Sequence, residues 1–314
     1  MKILITGIHG FVGSNLVAYL SKEHIIYGMD IISPIKEGVK NTFSWDDLDK
    51  NNSIPDVDII IHLAGKAHDT KKQSSADVYF RINTELTKKI FDYFMRSKAK
   101  KFVFFSTAKA AADKVDGVLT ENISPAPVGP YGESKIAAER YILANMELTN
   151  SKDKYVYIFR PCMIHGPGNK GNLNLLYNVM KKGIPWPLGA FENKRTFTSI
   201  ENICFVVNGV LHKDVPSGIY NMGDDEALSV NELIEEICKS LGKKARIWKL
   251  PKELMISMAK VGDLLHLPLN SERLRKLTEN YISSNAKIKK VLGVEKMPVD
   301  AIEGLRRTLT SFSK

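Results

Sequence analysis

Tyr131 and Lys135 stand four residues apart in Tyr131-Gly132-Glu133-Ser134-Lys135, a spacing that puts a phenol and an ammonium on one helix face. A phenol titrating near about 10 is a poor base at neutral pH. A neighbouring cation lowers that value and makes the phenolate accessible, so the pair suits proton transfer at a hydroxyl or carbonyl oxygen. The spacing alone proves little, since about one such pair is expected by chance in a chain of this composition. A second pair, Tyr177 and Lys181, is indeed present. What distinguishes Tyr131 is Thr107, 24 residues earlier, just past the apolar run 102–105. A hydroxyl at a strand end is well placed to hold a substrate oxygen. Tyr177 has no such partner and reads as a packing or surface residue.

A second constellation opens the chain. Gly7-Ile8-His9-Gly10-Phe11-Val12-Gly13 follows the first apolar run and leads into a helix. A dinucleotide pyrophosphate needs a tight turn, close approach of backbone, and a helix N-terminus to offset its charge. Small residues here permit all three, although the spacing is G-x-x-G-x-x-G rather than the G-x-G-x-x-G of the standard fingerprint. Asp30 lies 20 residues after Gly10 at the end of the next apolar run. A carboxylate there accepts hydrogen bonds from the adenine-ribose hydroxyls and repels a 2′-phosphate, which favours NAD over NADP. Lys36 is the one nearby cation.

These residues need a frame. Apolar strands are expected at 2–6, 25–30, 57–63, 102–105 and 155–160, alternating with helices at 13–21, 83–98 and 132–145. Strands apolar on both faces, alternating with helices, indicate a doubly wound parallel sheet of Rossmann type, covered on both sides and binding ligands at its strand ends. After Arg160 the chain becomes rich in Pro and Gly, with one helix at 173–182, and from Val230 it is mainly helical, with candidates at 231–241, 252–265 and 271–279. The expected organisation is a cofactor domain at 1–165 and a smaller, mainly helical substrate domain at 166–314, with part of 196–222 returning to the first. Residues 251–265 are apolar enough for an interface or membrane contact, but are expected to be a helix buried in the second domain.

Composition sets the outer limits. The 314 residues are 44% hydrophobic and 25% charged, values of an ordinary globular protein, with a net charge of +10. The lysines are scattered in small groups, without a basic arm or an aromatic RNA-binding motif, so nucleic acid is not an expected partner. No apolar run reaches the length of a membrane helix, and no membrane partner is expected. Cys162, Cys204 and Cys238 are odd in number and widely spaced, which fits a reducing cytoplasm and argues against a disulfide frame or a metal site.

Taken together, the glycine loop, Asp30, His62-Leu63-Ala64-Gly65, Asn83, Ser106-Thr107 and Tyr131/Lys135 resemble the extended short-chain dehydrogenase/reductase family, to which NAD-dependent nucleotide-sugar epimerases and dehydratases belong. The resemblance extends to Arg160-Pro161 with Gly166-Pro167-Gly168, and to Gly218-Ile219-Tyr220-Asn221-Met222-Gly223. It implies that Gly7, Gly10, Phe11, Val12 and Gly13 bind the pyrophosphate and Asp30 the ribose. It implies that Leu63, Ala64, Gly65, Asn83 and Pro161 line the cofactor, with Asp47 toward the adenine. Tyr131 is implied as the acid/base, Lys135 as the residue that tunes it and holds the nicotinamide ribose, and Thr107 as the partner of the reacting sugar hydroxyl. For a nucleotide-diphosphate sugar, it implies Asn172, Leu173, Arg195 and Arg273 at the diphosphate and Lys66 and His68 near the sugar. Family members commonly form homodimers through helices corresponding to 83–98 and 132–145.

The departures narrow the reaction. The 4,6-dehydratases carry an acidic pair after the hydroxyl residue; here Thr107 is followed by Ala108-Lys109. Met163 and His165 replace the Asn and Tyr typical of the epimerases. The leading expectation is a 4-epimerase of a UDP-hexose or UDP-N-acetylhexosamine. Its rival is an NAD(P)H-dependent reductase of a nucleotide-4-keto-6-deoxysugar in surface-polysaccharide synthesis, and a third reading is a non-catalytic NAD-binding protein.

Overall fold

A computed structural model describes residues 1–32, 34, 36–50, 53–67, 75–169, 171–265 and 269–312. The fold is built on seven strands, the last of them from the second half of the chain: β1 (Lys2–Thr6), β2 (Ile25–Met29), β3 (Val39–Phe43), β4 (Ile59–His62), β5 (Lys101–Phe105), β6 (Tyr155–Pro161) and β7 (Gly218–Met222). They form one parallel sheet in the order β7-β6-β5-β4-β1-β2-β3. The period of two along each strand feeds two cores. Ile3, Ile5, Ile59, Ile61 and Val103 point to one face, and Leu4, Ile60, Phe102 and Phe104 to the other. The register sets Thr6 opposite His62 and His62 opposite Phe104, which brings the carboxyl ends of β1, β4 and β5 level.

The helix α1 (Phe11–Leu20) follows β1. The helix expected at 83–98 starts earlier: Ala76–Tyr79 is α-helical, Phe80–Glu85 is a π-helical stretch, and α2 (Leu86–Arg96) completes it. Helix α3 (Pro130–Ala144) carries Tyr131 in its first turn. The expectations missed β3, whose central Lys40, Asn41 and Thr42 are polar because it is an edge strand.

The second half contributes α4 (Asn172–Lys181), α5 (Ile200–His212), α6 (Val230–Ser240), α7 (Lys252–Leu264), α8 (Ser271–Thr278), α9 (Ala286–Leu292) and α10 (Ala301–Phe312). The chain crosses back to the sheet here. Helix α5 packs on α1, β7 extends the sheet, and Ile288 and Leu292 of α9 enter the first core. A separate core forms from α4, α6, α10 and part of α7, around Tyr177, Trp186, Leu233, Ile237 and Leu305. Tyr177 stacks edge-on against Phe312, with ring centroids 5.3 Å apart, so its pairing with Lys181 is a matter of packing.

One expectation is corrected by this half. Helix α7 is not buried: only Met255, Ala259 and Gly262 face the protein, and its remaining apolar side chains lie in solvent. The core already holds the faces of α4, α6 and α10, so α7 covers it with one narrow edge. Among the described residues, no helix is long and apolar enough to cross a membrane.

Candidate functional site

The loop between β1 and α1 is shaped by close backbone approach. Gly7 has φ +73°, and a Cβ there would lie 2.8 Å from the Ala64 nitrogen; a Cβ on Gly13 would lie 2.2 Å from the Gly7 carbonyl oxygen. No side chain fits in either place, so the floor of the loop is bare backbone. Gly10 is the N-cap of α1 and supplies no side-chain cap, and the first turn, Phe11-Val12-Gly13, holds no acidic residue. That is the arrangement a pyrophosphate requires, so the chain has a cradle that fits a dinucleotide. Asp30 follows β2 and accepts from the backbone N–H groups of His9 (3.0 Å) and Ile31 (2.8 Å), one on each oxygen. Each oxygen keeps a lone pair for a further donor. Lys36 donates to Ser14 Oγ at 3.0 Å, beside a cavity of about 420 Å³ that His9 also lines. Asp47 is already occupied. It caps Ser44 at the backbone and hydroxyl (both 2.8 Å) and accepts from Lys50, which together hold its carboxyl down to about 2.

The end of β4 is tied to its neighbours by a chain of hydrogen bonds through His62. Thr87 Oγ1 donates to the Asn83 carbonyl (2.7 Å), so only its lone pairs face His62 Nε2 at 2.9 Å; that nitrogen therefore carries the proton. His62 Nδ1 then accepts from Thr6 Oγ1 at 2.7 Å, and Thr6 Oγ1 accepts from the N–H groups of Leu63 (3.2 Å) and Ala64 (3.1 Å). Burial holds the ring neutral, with its pKa well below the ordinary value. Asn83, in the π-helical stretch, clamps Lys66 through both its N–H and C=O and donates to Ser134 Oγ. Its amide is thus spent on shaping the loop after β4. Gly65 lies against Asn83 Oδ1 and Lys135 Nζ. Lys66 Nζ lies 5.7 Å from the centre of the Tyr79 ring, and Tyr79 meets Tyr131 edge-on at 6.5 Å. His68 falls outside the described residues.

Thr107, Tyr131 and Lys135 come together at the end of β5. Thr107 is buried and caps a short helical turn, Ala108–Ala111, accepting from the Lys109 N–H. Burial pushes the Tyr131 phenol above its ordinary value, and a hydrogen bond with Thr107 offsets part of that rise. This differs from the lowering expected of a neighbouring ammonium. The reason lies in Lys135, which donates to the Phe105 carbonyl at 2.9 Å and sits 4.9 Å from the centre of the Phe104 ring. Burial brings Lys135 itself down to about 8.

Three residues that sequence reasoning did not single out build this corner. A Cβ on Gly132 would lie 2.7 Å from the Lys109 carbonyl oxygen, so glycine lets α3 approach the turn carrying Thr107. Glu139, one turn beyond Lys135, is fully buried and paired with Arg160: Arg160 Nε reaches its oxygens at 3.0 and 3.1 Å and Nη2 reaches Oε2 at 2.5 Å. Ser106 also donates to Glu139 through a short hydrogen bond. In the sequence Arg160 is visible only as part of the Arg160-Pro161 motif, and a carboxylate four residues after Lys135 is the signal for Glu139. Pro161 ends β6 beside this pair.

The second half faces the site with arginines, but not both of the expected ones. Arg195 pairs at its backbone with Leu228 and Tyr281 and donates to the Lys276 carbonyl. Arg275 bridges Asp113 (3.2 Å) and Glu279 (3.1 Å), reaching the segment just beyond Thr107. Arg273, two residues earlier on α8 and so turned away by more than half a turn, is exposed. Asp113 is further held by Lys109, and these two cations keep its carboxyl below the usual range. Asn172 opens α4 and is exposed, whereas the Leu173 side chain is core and leaves only its backbone amide for a ligand. The turn at Gly166-Pro167-Gly168 docks on α1, where Asn15 donates to the Pro167 carbonyl (3.1 Å). His165, one of the two departures, is buried against Thr308 (2.9 Å) and Asp224 (3.5 Å).

The model of the NAD dependent epimerase/dehydratase family matches residues 3–223. UDP-glucose 4-epimerase of Vibrio cholerae is 30% identical over 265 residues, covering 80% of this chain and 78% of that protein. The N-acetyl-alpha-D-glucosaminyl-diphospho-ditrans,octacis-undecaprenol 4-epimerase of Escherichia coli O157:H7 is 26% identical over 262 residues, covering 81% and 76%. Among solved structures, UDP-glucuronic acid 4-epimerase of Bacillus cereus in complex with NAD superposes with a TM-score of 0.77 at 21% identity, over 100% of this chain and 96% of that one.

Proposed function

Since the chain belongs to the NAD-dependent epimerase/dehydratase family, we propose that this enzyme inverts C4 of a UDP-hexose or UDP-N-acetylhexosamine, with Tyr131 as acid and base. The observation that carries this reading is the meeting of Thr107, Tyr131 and Lys135 at the end of β5, where the nearby carboxylates named among the described residues, Glu139 and Asp113, are each paired with a cation. Elimination of water from a sugar needs a proton donor there. Ala108 offers none, and Asp113, held ionised by Lys109 and Arg275, is a poor donor.

The glycine loop and Asp30 would hold NAD, which when bound supplies a reversible hydride acceptor at C4. Thr107 would fix the 4-hydroxyl, and Tyr131 would take its proton as C4 becomes a ketone. The same phenol would return the proton to the carbonyl oxygen once the ketone has presented its other face. A buried phenol is well suited to the second step; the first requires positive charge nearby, which Lys135 carries below about pH 8. Arg195 would anchor the diphosphate, since a guanidinium donates two parallel hydrogen bonds to phosphate, and Arg275 joins it as a candidate for that role.

The test uses purified protein with no added cofactor. Denaturation should release NAD, and the native enzyme should interconvert UDP-glucose with UDP-galactose, or UDP-GlcNAc with UDP-GalNAc. Turnover of a 4-keto sugar alone, and only with added NADH or NADPH, would replace the epimerase reading with the reductase one. Conversion of a polyprenyl diphosphate sugar alone, the kind of substrate named for the E. coli relative, would keep the chemistry and change the carrier.

Gly132→Ala offers a geometric check. Helix propensity favours alanine, but the new Cβ meets a backbone carbonyl 2.7 Å away, so α3 must shift from Thr107. A displacement of this kind costs about a hundredfold in kcat. Steady-state kinetics on a variant with unchanged NAD content would show it, and a kcat within a factor of two of the parent would mean the approach is not needed.

A further inference from the structure

Helix α7 carries an apolar stripe that the protein itself does not cover. Leu254, Met258, Val261 and Leu265 recur at steps of four, three and four residues and so lie along one side of the helix. With Leu264 beside them, they are between 48% and 77% exposed. Trp248, 54% exposed, stands just ahead of the helix. Contiguous apolar surface of this kind marks a contact site rather than ordinary surface scatter.

The charges around the stripe say what covers it. Residues 243–265 hold six cations, among them Lys249 and Lys260, against two carboxylates, Glu253 and Asp263. Asp263 is committed to Ser271, accepting from its backbone N–H at 3.0 Å. A second copy of the chain docked by two-fold symmetry would set this cationic patch against itself. An anionic lipid surface meets both properties at once: its acyl boundary takes the stripe, its headgroups take the lysines, and an indole suits the depth between them.

We propose that α7 and Trp248 form a docking surface for an anionic lipid bilayer, with the helix lying in the plane of the interface. The proposal uses none of the residues assigned to catalysis and stands whether or not the sugar reading holds.

Vesicle flotation of the full-length enzyme tests it, comparing phosphatidylcholine with a mixture containing about one third phosphatidylglycerol. Binding is expected to the mixed vesicles, weakened by salt, with a blue shift in tryptophan emission. Leu254→Ser with Val261→Ser changes exposed positions and should lower binding at least about tenfold, with NAD content and turnover of soluble substrate unchanged. Lys249→Ala and Lys260→Ala should each lower it about fivefold. Equal binding by the serine variant would overturn the proposal, as would no binding at low salt. A dimer of the parent that the serine variant converts to monomer would assign the face to a second copy instead.

Discussion

Tyr131→Phe should lower kcat by about a hundred- to ten-thousand-fold while leaving bound NAD and the affinity for the nucleotide sugar near those of the parent. The substitution keeps the ring and its edge contact with Tyr79, centred 6.5 Å away, and removes one oxygen. That oxygen is the group on which burial and Thr107 act in opposite directions, so the variant deletes the proposed proton carrier and little else. Kinetics with both sugar epimers, paired with cofactor release on denaturation, separates loss of chemistry from loss of binding. Activity within tenfold of the parent would give the proton transfer to another group.

Glu139→Ala should be the most destabilising single change in the site, by about 3–5 kcal/mol in urea unfolding. Arg160 is only 1% exposed, and its Nη1 has no partner among the described residues; without Glu139 its charge is buried and uncompensated. Ser106 would lose its acceptor as well. Replacing both members of the pair with methionine should restore much of the loss, because an apolar pair of similar volume carries no desolvation cost. A single variant that loses less than about 1 kcal/mol would show that water reaches the site.

The same carboxylate supports the charge on Lys135, which burial lowers from 10.5 to about 8. Holding Lys135 charged costs stability in full below about pH 8. The cost is relieved as pH rises toward the unfolded value, because there the unfolded chain binds more protons than the folded one. Glu139→Ala deepens that cost, so the stability gap from the parent should be widest below pH 8 and narrow above it.

Much of the frame was legible in the sequence, for a physical reason. A parallel strand buried on both faces must be apolar throughout, and Ile59-Ile60-Ile61 and Phe102-Val103-Phe104-Phe105 are. The edge strand at 39–43 was not, because its solvent side tolerates Lys40 and Thr42. The glycine loop and the pair Tyr131/Lys135 were readable because their chemistry is local in sequence. Arg273 and Arg275 show where such reading stops. Two residues on one helix differ by more than half a turn in direction, and only the packing of α8 decides which of them meets Asp113. Helix α7 shows the opposite limit: its apolar pattern is plain in the sequence, but a pattern names a face without naming what covers it.

The His62 chain has a consequence for where protons can travel. Thr6, His62 and Thr87 each own one polar hydrogen, and each is spent on the next acceptor in a single direction that ends at the Asn83 carbonyl. The imidazole cannot take up a second proton without breaking the bond at Nδ1, which, with burial, favours its neutral form. The platform that presents Leu63 and Ala64 is thereby held by bonds that run one way, and the proposed proton transfer falls to the Thr107 and Tyr131 side.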